Sequence, residues 1–98
     1  MNVNFTPEAL SDLKHIHTYI AEFDPSAADR VISRIRQVTQ IFENFPLLGR
    51  EGLVKDTREF AVTGLPYTII YKITSPTDID ILTVIHQRRQ YPPEEQDE

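Results

Sequence analysis

The sequence contains no cysteine and no long uninterrupted run of apolar residues. Without cysteine, the 98-residue chain has neither a disulfide framework nor a cysteine-based zinc site, which fits a reducing compartment. No stretch reaches the roughly 18 apolar residues of a membrane span. The first residues lack a basic segment followed by an apolar run, so we expect no signal peptide and a cytoplasmic protein.

Positive charge is scarce: the sequence has 10 basic and 15 acidic residues, and the net charge is −5. Four of these five units come from the last residues, Glu94, Glu95, Asp97 and Glu98. The remaining body is near neutral and lacks the broad basic footprint of a general nucleic-acid binder, although a small basic site is compatible with it. We predict one domain over residues 1–93 and an acidic, disordered tail over residues 94–98.

The first half of the sequence predicts a short strand followed by two helices. Residues 2–5 alternate between polar and apolar, as in a strand. Thr6-Pro7 combines a capping residue with a proline suited to the first helical position, and the apolar spacing that follows predicts a helix over residues 7–22. Asp24-Pro25 repeats this start for a second helix over residues 25–44. The short break between them predicts an antiparallel helix hairpin.

The second half predicts a sheet. Residues 46–56 contain Pro46 and two glycines and are predicted as a loop. Three runs of β-type composition follow, over residues 57–62, 67–73 and 79–86, with turn residues between them. The third run is apolar on both faces, which predicts a central strand. The order predicts a two-layer α+β fold: an N-terminal strand, an antiparallel helix hairpin and a three-stranded antiparallel meander.

Several stretches resemble a known family. They are Pro46-Leu47-Leu48-Gly49-Arg50, Thr57-Arg58-Glu59-Phe60, Pro66-Tyr67-Thr68-Ile69-Ile70-Tyr71 and the run from Ile81 to Pro92, which contains His86-Gln87-Arg88-Arg89-Gln90-Tyr91-Pro92. In this order, and in a chain of this length, they resemble the ParE/RelE superfamily of toxins from type II toxin–antitoxin systems. The terminal His-x-Arg-Arg-x-aromatic-Pro stretch is similar to ParE-like members. The likeness covers about residues 3–92.

The resemblance implies a RelE/ParE-like fold and a toxin held inactive in a hetero-oligomer with a cognate antitoxin. ParE-like members act on DNA gyrase and block replication, whereas RelE-like members cleave mRNA on the ribosome. A relative that only binds an antitoxin is a third possibility. Because these functions share one fold, the fold does not choose between them. No cofactor is implied, and no metal site is expected because His15 and His17 are two residues apart on a helix and face different ways.

The densest group of functional residue types contains Arg58, His86, Arg88, Arg89 and Tyr91. As a metal-free nuclease, the chain would use His86 or Tyr91 to move protons, and Arg58 and Arg89 to hold the phosphate. A second interpretation is purely structural, with His86 in phase with Leu82 and Val84 at the end of a buried strand face. Asp12 and Glu22 are expected on a solvated helix face.

A third interpretation is binding of gyrase or antitoxin, and the near-neutral charge of the body favours it over nuclease activity. The residues predicted to bind a partner are Arg50, Arg58, Arg88, Arg89, Tyr91, Leu47, Leu48 and Leu53. The leucines lie in the predicted loop, which either packs onto the core or stays exposed as a binding surface for a partner. These alternatives require different arrangements of the side chains, since a nuclease needs its catalytic residues to surround one phosphate.

Overall fold

The computed structural model describes residues 1–89, 91 and 92, which form a five-stranded sheet with two helices packed on one face. The elements in chain order are β1 (Asn2–Phe5), α1 (Pro7–Ala21), α2 (Pro25–Ile41), β2 (Arg50–Glu51), β3 (Thr57–Ala61), β4 (Tyr67–Ser75) and β5 (Asp78–His86). The predicted α+β class is confirmed. The tail predicted over residues 94–98 lies outside the described residues.

Both helices begin where the sequence predicts them. The Thr6 hydroxyl accepts a hydrogen bond from the Ala9 amide at 3.1 Å, and the Asp24 carboxylate accepts one from the Ala27 amide at the same distance. Such caps contribute about 1 kcal/mol each. Within the described residues, neither helix has both the length and the hydrophobicity needed to cross a bilayer.

The second helix is shorter than predicted, ending at Ile41 rather than at Asn44. The backbone tightens there, because the Phe42 amide bonds to the Thr39 carbonyl and the Glu43 amide to the Gln40 carbonyl. Bonds of this i→i−3 type commonly close the last turn of a helix. The apolar spacing continues through these turns, which explains why the pattern overestimates the length of the helix.

The strand order in the sheet is β1-β5-β4-β3-β2. Strand β5 lies between β1 and β4, as its apolar residues on both faces predict, and it pairs parallel with β1 and antiparallel with β4. The prediction that residues 46–56 are entirely loop was wrong, because Arg50–Glu51 pairs antiparallel with β3. Two residues are too few for an alternating pattern, so sequence periodicity does not detect this strand.

A β-bulge changes the phase of β5. Tyr71 pairs with Ile81, but the preceding Ile70 pairs with Thr83, so Leu82 is the extra residue. The expectation that His86 is in phase with Leu82 was therefore wrong. His86 instead shares the helix-facing side of the sheet with Val84, which belongs to the core.

The core lies between the helices and the facing side of the sheet. Phe42 of α2 stacks on Tyr71 of β4, with ring centroids 4.1 Å apart and ring planes at 22°. Each large aliphatic side chain buried here contributes about 1.5–3 kcal/mol relative to exposure. The largest fully buried side chains are Tyr71, Phe42, Ile35, Ile69, Ile70, Ile79, Ile81 and Val62.

Candidate functional site

A cleft of about 760 Å³ opens between α1 and the carboxyl end of β5. Its inner wall is buried or half-buried and includes the apolar side chains of Ile16, Ile20 and Val84. Its exposed lining includes His15, Tyr19, Arg88 and Arg89. An apolar wall beside exposed cations suits a ligand that carries both an apolar anchor and an anionic group.

His86 organises the turn that follows β5. Its imidazole Nδ1 accepts a hydrogen bond from the Arg88 amide at 3.1 Å, and its carbonyl accepts one from the Arg89 amide at 2.8 Å. The ring packs edge-on against Tyr67, with centroids 5.6 Å apart. Since Nδ1 is an acceptor here, the neutral ring carries its proton on Nε2. His86 thus holds the backbone that displays Arg88 and Arg89 to solvent.

Tyr67 is a cleft residue that the motifs do not single out, although it belongs to one of the stretches that carry the resemblance. Burial raises the pKa of its hydroxyl, and the Tyr19 phenol raises that pKa further. Tyr67 therefore presents a neutral phenol at neutral pH. The signal for its position is cross-strand pairing, because Tyr67 lies directly opposite His86 once β4 and β5 form a hairpin.

Asp12 shapes the inner end of the cleft. Its carboxylate accepts hydrogen bonds from the Thr83 hydroxyl and from the Val84 amide, the latter at 3.0 Å. The expectation that Asp12 lies on a solvated helix face was wrong, because β1 pairs with β5 only as far as Ile81 and the Thr83 and Val84 donors beyond it bond to Asp12 instead. Glu22 is exposed, as expected. Asp12 joins the helix to the strand that ends in His86.

Arg58 lies away from this cleft and holds the loop that follows α2. Its guanidinium donates to the Gly49 carbonyl at 2.7 Å. The Tyr71 hydroxyl accepts from the Gly49 amide and donates to the Pro46 carbonyl, each at 2.8 Å. A Cβ at position 49 would lie 2.8 Å from the Tyr71 ring, so the close approach requires glycine.

The separation of Arg58 from His86 follows from the register. Arg58 pairs with Tyr71 and His86 pairs with Tyr67, four positions away on β4. This places the two residues about 13 Å apart along the strands and about 10 Å across them. Tyr91 is half-buried and is not among the residues lining the cleft. Of the predicted catalytic residues, the cleft brings together only His86 and Arg89.

The loop between α2 and β3 exposes the leucines predicted to bind a partner. Leu47 is 65% exposed, Leu48 44% and Leu53 82%. The Arg50 side chain is also largely exposed, with its guanidinium 3.4 Å from the Glu59 carboxylate. Tyr71 and Arg58 hold the backbone of Pro46 and Gly49, and the side chains of Leu47 and Leu48 between them are exposed. An apolar loop held in this way resembles a surface that a partner covers.

Comparison with known proteins agrees with the architecture and the motifs. Residues 3–91 match the family model described as the ParE toxin of the parDE type II toxin–antitoxin system. "Putative toxin Y4kP" of Sinorhizobium fredii is 40% identical over 90 residues, which is 92% of each chain. "Toxin RelE2" of Caulobacter vibrioides is 32% identical over 87 residues, covering 89% of this chain and 96% of the relative.

A solved structure shares the fold. It is described as the chromosomal ParDE TA system from P. aeruginosa, and it matches with a TM-score of 0.77. The match covers 88% of this chain and 95% of the other, at 20% sequence identity. The likeness therefore extends over the sheet and the helix hairpin together.

Proposed function

The chain belongs to the ParE toxin family of type II toxin–antitoxin systems, and on that premise we propose that it blocks replication by acting on DNA gyrase. The proposed contact is the turn after β5, where Arg88 and Arg89 are exposed beside the cleft. Arginine is enriched among the residues that dominate binding energy at protein interfaces. The hydrogen bond from the Arg88 amide to His86 supports this role, since it orders the turn before binding.

The test is inhibition of plasmid supercoiling by purified gyrase in the presence of purified toxin. We expect inhibition at micromolar toxin, and loss of inhibition in the double variant Arg88→Ala, Arg89→Ala. The double variant Lys14→Ala, Lys55→Ala is the matched control, because it removes the same charge from exposed positions outside the cleft. Unchanged supercoiling at micromolar wild-type toxin would overturn the proposal.

Ribosome-dependent mRNA cleavage finds less support in the geometry. In that mechanism Arg58, His86 and Arg89 act on the same phosphate. Arg58 instead bonds to Gly49, outside the cleft that contains His86 and Arg89. Primer extension on translating mRNA separates the two activities. New toxin-dependent ends that disappear in His86→Ala would favour the nuclease over the gyrase proposal.

We propose in addition that an antitoxin in the same cytoplasm neutralises this toxin in a hetero-oligomer. Leu47, Leu48, Leu53 and Arg50 are the proposed contacts, and their exposure supports this assignment. Covering exposed apolar side chains is the main favourable term in most protein association. The structural neighbour is itself described as a ParDE system, in keeping with such a complex.

A further inference from the structure

The cleft between α1 and β5 changes in chemistry from its inner end to its outer end. At the inner end, both of the hydrogen bonds that Asp12 accepts from Thr83 and Val84 go to one carboxylate oxygen, Oδ2. Asp12 lines the cleft, and its second oxygen, Oδ1, keeps the capacity to accept a bond from a ligand. At the outer end, Arg88 and Arg89 are exposed. A ligand that matches both ends carries a hydrogen-bond donor on one side and an anion on the other.

The middle of the cleft offers flat and apolar surface. Tyr67 pairs with His86, which lies along β5 between the strand residues bonded to Asp12 and the two arginines. Tyr19 lies two turns beyond Asp12 on α1, about 10 Å along the helix, and it also lines the cleft. Its ring is 64% exposed. An exposed aromatic ring at this position gives the flat ring of a ligand a surface to stack on.

We propose that this cleft is a binding site for a free nucleotide, namely a nucleoside di- or triphosphate whose base carries an exocyclic amine. The amine donates to Oδ1 of Asp12, the base stacks on Tyr19, and the phosphates bond to Arg88 and Arg89. The guanidinium fork matches paired phosphate oxygens, so two adjacent arginines suit a chain of phosphates. The cleft volume of about 760 Å³ lies within the range of about 300–1,000 Å³ that is usual for small-molecule sites.

Other ligands match fewer of these groups. Inorganic phosphate or polyphosphate leaves Asp12 and the Tyr19 ring unused, and an uncharged nucleoside leaves the arginines unused. A base without an exocyclic amine brings no donor to Oδ1 from that position. A nucleic-acid strand needs further cations for its other phosphates, whereas the permanently charged cations in the described lining are Arg88 and Arg89. A single nucleotide uses all three parts of the cleft.

Nucleotide binding has a consequence for the toxin that rests on the proposed function. A bound nucleotide occupies Arg88 and Arg89, which are also the proposed contacts with gyrase. The nucleotide and gyrase therefore exclude each other, and free nucleotide lowers the fraction of toxin that is able to bind its target. The binding site itself does not depend on gyrase and is tested without it.

The first experiment is isothermal titration calorimetry of the full-length toxin with ATP and with three ligands that each lack one part. We expect saturable binding of ATP with a Kd below about 1 mM. Purine riboside triphosphate lacks only the amine, and should bind about fivefold more weakly, as loss of one hydrogen bond worth about 1 kcal/mol does. Adenosine lacks the phosphates and tripolyphosphate lacks the nucleoside. Each should bind at least about tenfold more weakly than ATP.

Variants test the two exposed parts of the site. The double variant Arg88→Ala, Arg89→Ala should weaken ATP binding by about tenfold or more, since it removes both phosphate ligands. Tyr19→Ala should weaken it by about fivefold, as loss of about 1 kcal/mol of base stacking does. Circular dichroism checks that each variant is folded. The matched controls remove the same charge or an exposed aromatic ring outside the cleft, and they are Lys14→Ala with Lys55→Ala, and Phe45→Ala.

The outcomes separate a nucleotide site from its alternatives. Binding of ATP that is tighter than that of all three comparison ligands, and that the cleft variants alone weaken, supports the inference. Lack of saturable ATP binding up to about 1 mM would overturn it. Tripolyphosphate or purine riboside triphosphate that binds as tightly as ATP would also overturn it, as would equal losses in the cleft variants and the controls. A single-stranded adenine oligodeoxynucleotide that binds more than about tenfold tighter than ATP would make nucleic acid the ligand instead. A toxin that binds ATP but has no effect on gyrase would contradict only the proposed function.

Discussion

His86 illustrates how one side chain serves the site through the backbone. Its Nδ1 accepts a hydrogen bond from the Arg88 amide. Arg88 and Arg89 are the exposed cations beside the cleft. An asparagine side chain can also accept a hydrogen bond from the amide two residues ahead, whereas alanine cannot. The function of His86 as a positioning residue is therefore separable from any function of the imidazole itself.

We predict that His86→Ala weakens gyrase inhibition by about tenfold, because ordering the freed turn on binding costs roughly 1 kcal/mol or more. His86→Asn should retain most of the inhibition, since the amide oxygen replaces Nδ1 as acceptor. Dose–response curves of supercoiling inhibition measure both variants. Equal loss in His86→Ala and His86→Asn would show that the imidazole acts directly.

At the residue scale, motif reasoning found the cations of the cleft but not the groups that organise it. Arg88 and Arg89 are conspicuous in the sequence, and the cleft lining includes both. Asp12 gives no local signal, because its partners Thr83 and Val84 are 71 and 72 residues away in the chain. Residue type groups Arg58 with His86, whereas the strand register separates them.

The attachment of α1 to β5 is the feature at the scale of elements that shapes the cleft. The single proton of the Thr6 hydroxyl is shared between the carbonyls of Ile81 and Leu82, each 2.9 Å away, and Asp12 accepts hydrogen bonds from Thr83 and Val84. The N-cap and the second turn of the helix are thereby bonded to the bulged part of the strand. The carboxyl half of α1 then forms one wall of the cleft.

We predict that Asp12→Ala lowers the free energy of unfolding by about 2–3 kcal/mol, because it leaves the Val84 amide and the Thr83 hydroxyl without an acceptor. The control is Asp29→Ala, which removes an exposed contact with His17 worth about 0–1 kcal/mol. Urea denaturation measures both, and hydrogen exchange of the Val84 amide should accelerate only in Asp12→Ala. A loss no larger than that of the control would contradict this account of the helix attachment.

The helices and strands that the sequence predicts correctly are those with a capping residue or with an apolar pattern that extends over many residues. The caps at Thr6 and Asp24 placed both helix starts, and the apolar run in β5 placed that strand inside the sheet. Prediction failed for the two-residue strand Arg50–Glu51, whose pairing depends on β3 rather than on its own sequence. The parallel pairing of β1 with β5 is likewise a tertiary contact that no local pattern contains.

Charge is the feature of the whole molecule that separates the functional classes. The net charge is −5, and the cations around the cleft that are permanently charged are Arg88 and Arg89. Each phosphate contact contributes about −0.9 to the slope of log affinity against log salt concentration for duplex DNA. The affinity of a site with two such contacts therefore depends weakly on salt concentration. The affinity of a basic nuclease that contacts many RNA phosphates depends on it strongly.

We predict that the toxin alone binds a duplex of about 20 base pairs weakly, with a salt slope no steeper than about −2, since two arginines neutralise at most two phosphates. Fluorescence anisotropy between about 50 and 200 mM salt measures this slope. Deleting residues 94–98 changes the net charge from −5 to −1 and should raise the affinity without changing the slope, because the slope counts contacting cations rather than total charge. A slope near −5 in either protein would require between about five and six phosphate contacts, and would make nucleic acid a direct target of the toxin.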